Sequence, residues 1–383
     1  MPAFPTQRLA VSLLFLMNGF LVGSWAPKIP EFAARLGLSE SRLGLMIVAF
    51  GIGSLIAMPI VGAVISRQGS RRASRWLALG SAFAIILVTL ASNIPLGVLT
   101  MLFLGGTIGG CDVAMNANAV SVERRMRRAI MSSCHGFWSL GGLIGAGAGG
   151  FLIDRFGVMN HALIVTVICL GLVAWAWPLV VDDAAVSDAP RQKLRLPTSP
   201  LPWLVGTMAL FAMIPEGSVL DWGALYLRSE LDGTVTQSGF VYGAFSATMA
   251  LMRFAGDGIR DRFGAVKTLR GCALVAFVGM VLSGMAPNAT LAIVGFAIAG
   301  IGISNLVPIA FSAAGNLPGF APGIALSVVT FMGYSGILFA PTLLGFVAEH
   351  TGFAAIFIAL PFLFIVVLGL SSLARHADAG DRA

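Results

Sequence analysis

Apolar positions in this chain come in long unbroken runs, not in the alternation of a half-buried strand. Twelve runs approach or exceed the roughly 17–25 residues that cross a bilayer: 9–27, 43–65, 75–92, 96–122, 129–153, 158–181, 203–227, 239–259, 267–286, 290–315, 323–348 and 353–374. Continuous runs predict helices that satisfy their own backbone, not strands of a barrel. The polar gaps are short, with one exception. Residues 182–202 gather Asp182, Asp183, Asp188, Arg191, Lys193 and Arg195 among prolines, directly after the sixth run. The pattern predicts a six-helix bundle over 1–181, a cytoplasmic linker over 182–202 and a second six-helix bundle over 203–383.

An eight-residue stretch recurs through this pattern. Its fullest form is Gly150-Phe-Leu-Ile-Asp154-Arg155-Phe-Gly157. Degraded copies run Gly62 to Gly69 through Ser66 and Arg67, Asp257 to Gly264 through Asp261 and Arg262, and Gly345 to Gly352 through Glu349. The acidic slot and the closing glycine both step by 88, 107 and 88 residues. Two series in one register imply four related three-helix units, two per half.

Composition changes the picture in one respect. With 57% hydrophobic and 11% charged residues, too little charge remains to coat a water-soluble surface, so the solvent for most of the chain is lipid. The net charge of +7 does not indicate nucleic acid, because the arginines sit in clusters between apolar runs, without aromatic platforms. They set topology instead. With both termini inside, eighteen Lys and Arg fall on the inner side and five (Lys28, Arg35, Arg42, Arg155, Arg228) on the outer. The first and third copies of the repeat then face inward and the second and fourth outward, so successive units are inverted in the membrane. Cys111, Cys134, Cys169 and Cys272 lie inside apolar runs without ligand spacing and read as small apolar side chains. The first run lacks a clear small-x-small cleavage site and its like recurs throughout, so it is read as a span and not as a signal peptide.

The Gly62 stretch with Arg71-Arg72 resembles the loop signature of the major facilitator superfamily, and Asp261-Arg262-Phe-Gly264 resembles it in the second half. Gly23-Ser-Trp25, Lys28-Ile-Pro30, Leu38-Ser-Glu40, Leu43-Gly44, His135-Gly136, Glu216-Gly217 and Asp221-Trp222 are similar to the bacterial MosC-like (YbjJ-like) branch. The resemblance implies an all-α membrane protein of twelve transmembrane helices, with a cavity lined mainly by the first, fourth, seventh and tenth. Two departures stand out. Ser66 occupies the usual acidic position of the first loop. In the fifth helix, Gly141, Gly145, Gly149 and Gly150 match the glycines of the drug–proton antiporter signature, but Ala146 replaces its proline.

Polar groups inside a span are costly and by default face a cavity or a partner. Asn18, Asp112, Asn116, Glu216 and Asn305 fall on the helices named above. Asp112 and Asn116 share a face at i, i+4, while Asn118 points elsewhere. Asp112 and Glu216 are read as candidate proton carriers, with His135 as a partner or relay. Asn18, Asn116, Trp138 and Asn305 are candidate solute contacts. Asn18, Asn118 and Asn305 could equally bond a neighbouring helix, and His135 could be a packed, hydrogen-bonded residue. Arg253 and Asp257, i, i+4 on the eighth helix, read as a structural or gating pair, alongside the loop residues Gly62, Arg67, Gly69, Asp154, Arg155, Asp261 and Arg262. The stripe of Gly141, Gly145 and Gly149 permits close helix approach, as a rocking seam between halves or as tight packing.

No Walker-type loop, nucleophile triad or metal-ligand set is present, so neither an enzyme nor a cofactor is expected. The reading is a monomeric, proton-coupled secondary transporter of a small polar solute in the bacterial inner membrane. The alternatives are an exporter of small amines or drug-like solutes and a non-transporting solute sensor.

Overall fold

The computed structural model describes residues 5–38, 40–183, 197–233, 235–320 and 322–378. Linker residues Asp188, Arg191, Lys193 and Arg195 lie outside them. The described chain is helical. α1 (Thr6–Trp25) continues through a 3₁₀ turn (Ala26–Lys28) into the short α2 (Ile29–Arg35). α3 (Glu40–Gln68), α4 (Ser70–Leu90), α5 (Ile94–Met126) and α6 (Met131–Ala176) follow. After the linker come α7 (Leu201–Glu230), α8 (Val235–Phe263), α9 (Ala265–Gly284), α10 (Ala289–Ile303), α11 (Leu306–Gly315), α12 (Pro322–Thr351), α13 (Phe353–Ala359) and α14 (Leu363–Leu370).

These elements carry the twelve expected spans. Among the described residues, ten helical stretches are long and apolar enough to cross a membrane. One of them, α6, holds two spans joined at Gly157, whose backbone leaves the helix. α8 is not among the ten; it holds Arg253, Asp257, Arg260, Asp261 and Arg262. α10 and α11 form one span broken at Ser304–Asn305, and α13 and α14 form another. Large apolar side chains cover the outside: Leu143 is 71% exposed, Leu251 72% and Phe339 65%. That exposure is intelligible only against hydrocarbon. The four cysteines are buried and free.

The chain divides into two compact units. The first comprises Met1–Met126, Cys134–Pro197 and Gly319–Ser327; the second comprises Arg127–Ser133, Thr198–Pro318 and Val328–Ala383. Inside each, glycines let backbones touch. In the first, a Cβ built on Gly105 of α5 would sit 1.9 Å from the Phe50 carbonyl oxygen of α3. In the second, one on Gly302 of α10 would sit 2.1 Å from the Ala276 nitrogen of α9. Such contacts replace the hydrophobic drive that lipid removes.

The repeat has a conformational basis. Its closing glycines, Gly69, Gly157, Gly264 and Gly352, all take φ between 75° and 80° with ψ between 157° and 170°. A side chain would be strained there. Each glycine ends one helix and starts the next within a single residue, which is why it holds register through all four copies. Three of the four following helices also receive a carboxylate on their first amides. Asp183 accepts from the Ser70 and Arg71 nitrogens at 2.7 and 3.3 Å. Asp378 accepts from the Ala265 nitrogen at 2.6 Å, and Glu230 from the Phe353 and Ala354 nitrogens. A negative charge at a helix amino end satisfies orphan donors and opposes the helix dipole. Asp182 and Asp183, read from the sequence as linker acids, thus lie against α4: Asp182 pairs with Arg71 at 2.6 Å.

Candidate functional site

In the first unit, α1, α5 and α6 bring five of the candidate residues together. Asp112 and Asn116 lie one turn apart on α5, 4% and 0% exposed. The Asn116 amide nitrogen donates to the Asp112 carbonyl at 2.8 Å and to its Oδ1 at 3.3 Å. The other carboxylate oxygen, Oδ2, is buried without a hydrogen-bond partner. Asn116 Oδ1 faces His135 Nε2 of α6 at 3.3 Å. Asn116 therefore bridges a carboxylate and an imidazole, using its amide as donor to one and its carbonyl as acceptor from the other. The His135 ring also packs edge-on against Phe15 of α1, centroids 5.1 Å apart.

One turn along α6, Trp138 donates its indole N–H to Asn18 Oδ1 at 3.0 Å. The Asn18 amide in turn donates to the Ile108 carbonyl of α5 at 3.3 Å. Asn18 thus ties three helices together, while the Trp138 ring remains half-buried. Asn118 does point elsewhere: it donates to Ser70 Oγ and to the Val181 carbonyl.

Gly141, Gly145 and Gly149 pack against α1 and the turn that follows it, inside the first unit. A Cβ at Gly141 would meet the Leu16 carbonyl oxygen at 2.1 Å, one at Gly145 the Phe20 carbonyl oxygen at 2.3 Å, and one at Gly149 the Pro27 ring at 2.6 Å. Gly19 and Gly23 return the contact, facing the carbonyls of Trp138 and Gly142. The close approach expected of the stripe is used here between the first and fifth spans of one bundle. It is this seam that sets His135 and Trp138 beside Phe15 and Asn18.

In the second unit, Glu216 of α7 pairs with Arg253 of α8 at 3.2 Å, their side chains 25% and 4% exposed. Arg253 also donates to the Ser304 carbonyl at 3.3 Å, at the break between α10 and α11. The sequence showed no cation near Glu216 because its partner lies on another helix. Asp257 accepts from the backbone nitrogens of Ser132 and Ser133 at 2.9 and 3.0 Å. Asp261 accepts from the Ala129 nitrogen and pairs with Arg128. Asn305 donates to Ser304 Oγ at 2.9 Å, and its Oδ1 lies where a Cβ on Gly256 would be, 1.9 Å away. That is a packing contact between α8 and the α10–α11 break. Trp222 stacks on Phe353, 5.5 Å between centroids.

The loop residues divide. Gly62 is buried in α3, and Ser66 donates to the Ala63 carbonyl of its own helix at 2.8 Å. Arg67, Asp154, Arg155 and Arg262 are exposed. Sequence reasoning missed the capping acids Asp183, Asp378 and Glu230. A signal existed for two of them: Ser70 to Asp183 and Ala265 to Asp378 both span 113 residues.

The chain resembles known proteins over nearly its whole length. It is 32% identical over 366 residues to an uncharacterised MFS-type transporter of Yersinia pestis, covering 94% of each chain. It is 28% identical to membrane protein MosC of Rhizobium meliloti, covering 94% of this chain and 87% of that protein. Its fold matches the E. coli fucose:proton symporter FucP with a TM-score of 0.78 at 16% identity, over 96% of this chain and 98% of that one. It matches the proton:xylose symporter XylE with a TM-score of 0.69 at 14% identity, over 97% and 94%. The family description Major Facilitator Superfamily fits residues 11–341 and 207–382. The two helical units, the fourfold glycine turn and these likenesses agree: the chain is a multi-pass membrane transporter, not an enzyme, and it belongs to the Major Facilitator Superfamily.

Proposed function

We propose that this transporter couples the movement of a small polar solute to a proton, and that Asp112 carries the proton. The observation behind this is the linked set Asp112–Asn116–His135, with Asp112 Oδ2 buried and without a hydrogen-bond partner. A carboxylate that neither pairs with a cation nor completes its hydrogen bonds can alternate between neutral and charged forms without dismantling a salt bridge. Glu216 is less suited to this task, because protonating it would leave Arg253 buried beside a neutral partner. In this reading the Glu216–Arg253 pair holds α7 and α8 in place.

The two fold relatives named above are proton symporters by description, which favours coupling to protons over other ions. Trp138 offers a half-buried aromatic face whose edge is fixed by Asn18, a surface suited to the apolar side of a sugar or polyol ring. Asn116 and His135 supply the adjacent polar groups.

The test is solute-driven proton movement. Proteoliposomes loaded with a pH-sensitive dye are challenged with sugars, polyols, amines and amino acids in turn. At least one solute should change the internal pH in the wild-type protein and not in Asp112→Asn. The reading is wrong if the active solute moves without protons, or if Asp112→Asn moves protons at the wild-type rate.

A further inference from the structure

Three of the four helices that follow the repeated glycines begin on an internal carboxylate, and the fourth begins beside a cation. The segment of α6 after Gly157 runs on for five turns to Ala176. Lys28, at the end of the 3₁₀ turn after α1, reaches its first turn and donates from Nζ to the Val158 carbonyl at 2.9 Å. Lys28 is 1% exposed. An ammonium has three donors, so one carbonyl leaves it under-satisfied. It also adds positive charge where the helix dipole is already positive.

A second buried group faces this corner. His161, in the same first turn, is 0% exposed, and neither ring nitrogen has a hydrogen-bond partner. A Cβ built on Gly149 would lie 2.6 Å from the Pro27 ring and 3.3 Å from His161 Nε2, so the imidazole looks toward the Pro27–Lys28 turn. Glu31 is the opposing charge near Lys28, and its Oε2 is buried without a hydrogen-bond partner. Glu31 is engaged by Arg35 at 2.8 Å, and no ion pair within 4.0 Å joins it to Lys28. Arg35 bonds the carbonyls of Val88 and Ala91. Asp154 and Arg155, on the preceding turn, are exposed. Among the described residues, no side-chain oxygen accepts from the amides of Val158 or Met159.

We infer that this corner is a binding site for a single oxyanion, a carboxylate or phosphate group, held by the Lys28 ammonium, an N–H of His161 and the first amides after Gly157. The anion takes the place that Glu230 fills before Phe353 and Asp183 before Ser70. It would tie the end of α1 to the start of the sixth span. Its source is either a free anion or the phosphate of a lipid headgroup, since the corner lies at the end of both spans.

Thermal unfolding of the detergent-purified protein tests this in two arms. Inorganic phosphate is titrated at constant ionic strength, and phosphatidylglycerol is added in mixed micelles without phosphate. In at least one arm the wild-type melting temperature should rise saturably by roughly 2–5 °C. Lys28→Met should lose the rise, because the ammonium that would hold the anion has gone. A rise with phosphate assigns a free anion; a rise with lipid alone assigns a headgroup. Should Lys28→Met not fold, His161→Leu takes its place and should at least halve the response. The inference fails if neither arm moves the wild type, or if the substituted protein responds as the wild type does.

Discussion

Two glycines on one turn of α6 face opposite environments, and an alanine at each should have opposite effects. A Cβ on Gly145 would lie 2.3 Å from the Phe20 carbonyl oxygen and 2.7 Å from the Ser24 nitrogen, both backbone atoms of α1. Ordinary contact needs more than 3 Å, so α1 and α6 must separate by about 1 Å. That motion loosens Gly19 against Trp138 and Gly23 against Gly142 along the same seam. Overpacking of this kind costs about 1–3 kcal/mol, less up to about 1 kcal/mol from the better helix propensity of alanine. A Cβ on Gly147 meets nothing within 4 Å, so the propensity gain stands there alone. The two substitutions should differ by about 1–3 kcal/mol, or roughly 3–10 °C in melting temperature if the first unit unfolds as one block. Differential scanning fluorimetry of Gly145→Ala and Gly147→Ala in one detergent measures it. Equal melting temperatures, or a less stable Gly147→Ala, would refute the packing argument.

Three other outcomes follow from the same structure. Asp183→Ala removes the acceptor of the Ser70 amide and hydroxyl and of the Ser121 hydroxyl, and should destabilise by about 2–4 kcal/mol in the same assay; no change would mean that solvent replaces the cap without loss. For the Glu216–Arg253 pair, a double-mutant cycle with Glu216→Gln and Arg253→Met should give a coupling energy of about 1–3 kcal/mol, and additivity would dissolve the pair. In a background without the four buried cysteines, Gln68→Cys and Phe263→Cys should be labelled by an impermeant maleimide from one face of the membrane, and Met159→Cys and Thr351→Cys from the other. Labelling of positions 68 and 159 from the same face would break the inverted repeat.

The elements were legible because membrane helices announce themselves by length and apolarity. The fourfold repeat was legible because each copy must place a residue at φ near 80°, and only glycine does so without strain. What a single sequence does not carry is pairing across helices. Asp112 with Asn116 was readable, since both lie on one helix. Asn18 with Trp138 and Glu216 with Arg253 were not, because rotation about each helix axis decides them. For the same reason the glycine stripe of α6 was readable as a close-approach surface but its partner, α1, was not. Asp183 read as a linker charge, and Glu230 and Asp378 drew no reading; their task on helix amino termini emerges only when distant ends meet in space. Lys28 was visible as a lysine on the sparsely charged side, and its burial beside His161 was not.

The central claim, that Asp112 carries the coupled proton, is tested most directly by separating exchange from accumulation. Once the solute screen supplies a radiolabelled substrate, proteoliposomes containing Asp112→Asn are compared with wild type in two assays: uptake driven by an imposed proton gradient, and exchange of internal for external substrate without a gradient. Asparagine keeps the size and hydrogen bonding of Asp112 but holds no cyclable charge, so accumulation should vanish while exchange continues. Accumulation by Asp112→Asn at the wild-type level, with the same response to the gradient, would contradict the account.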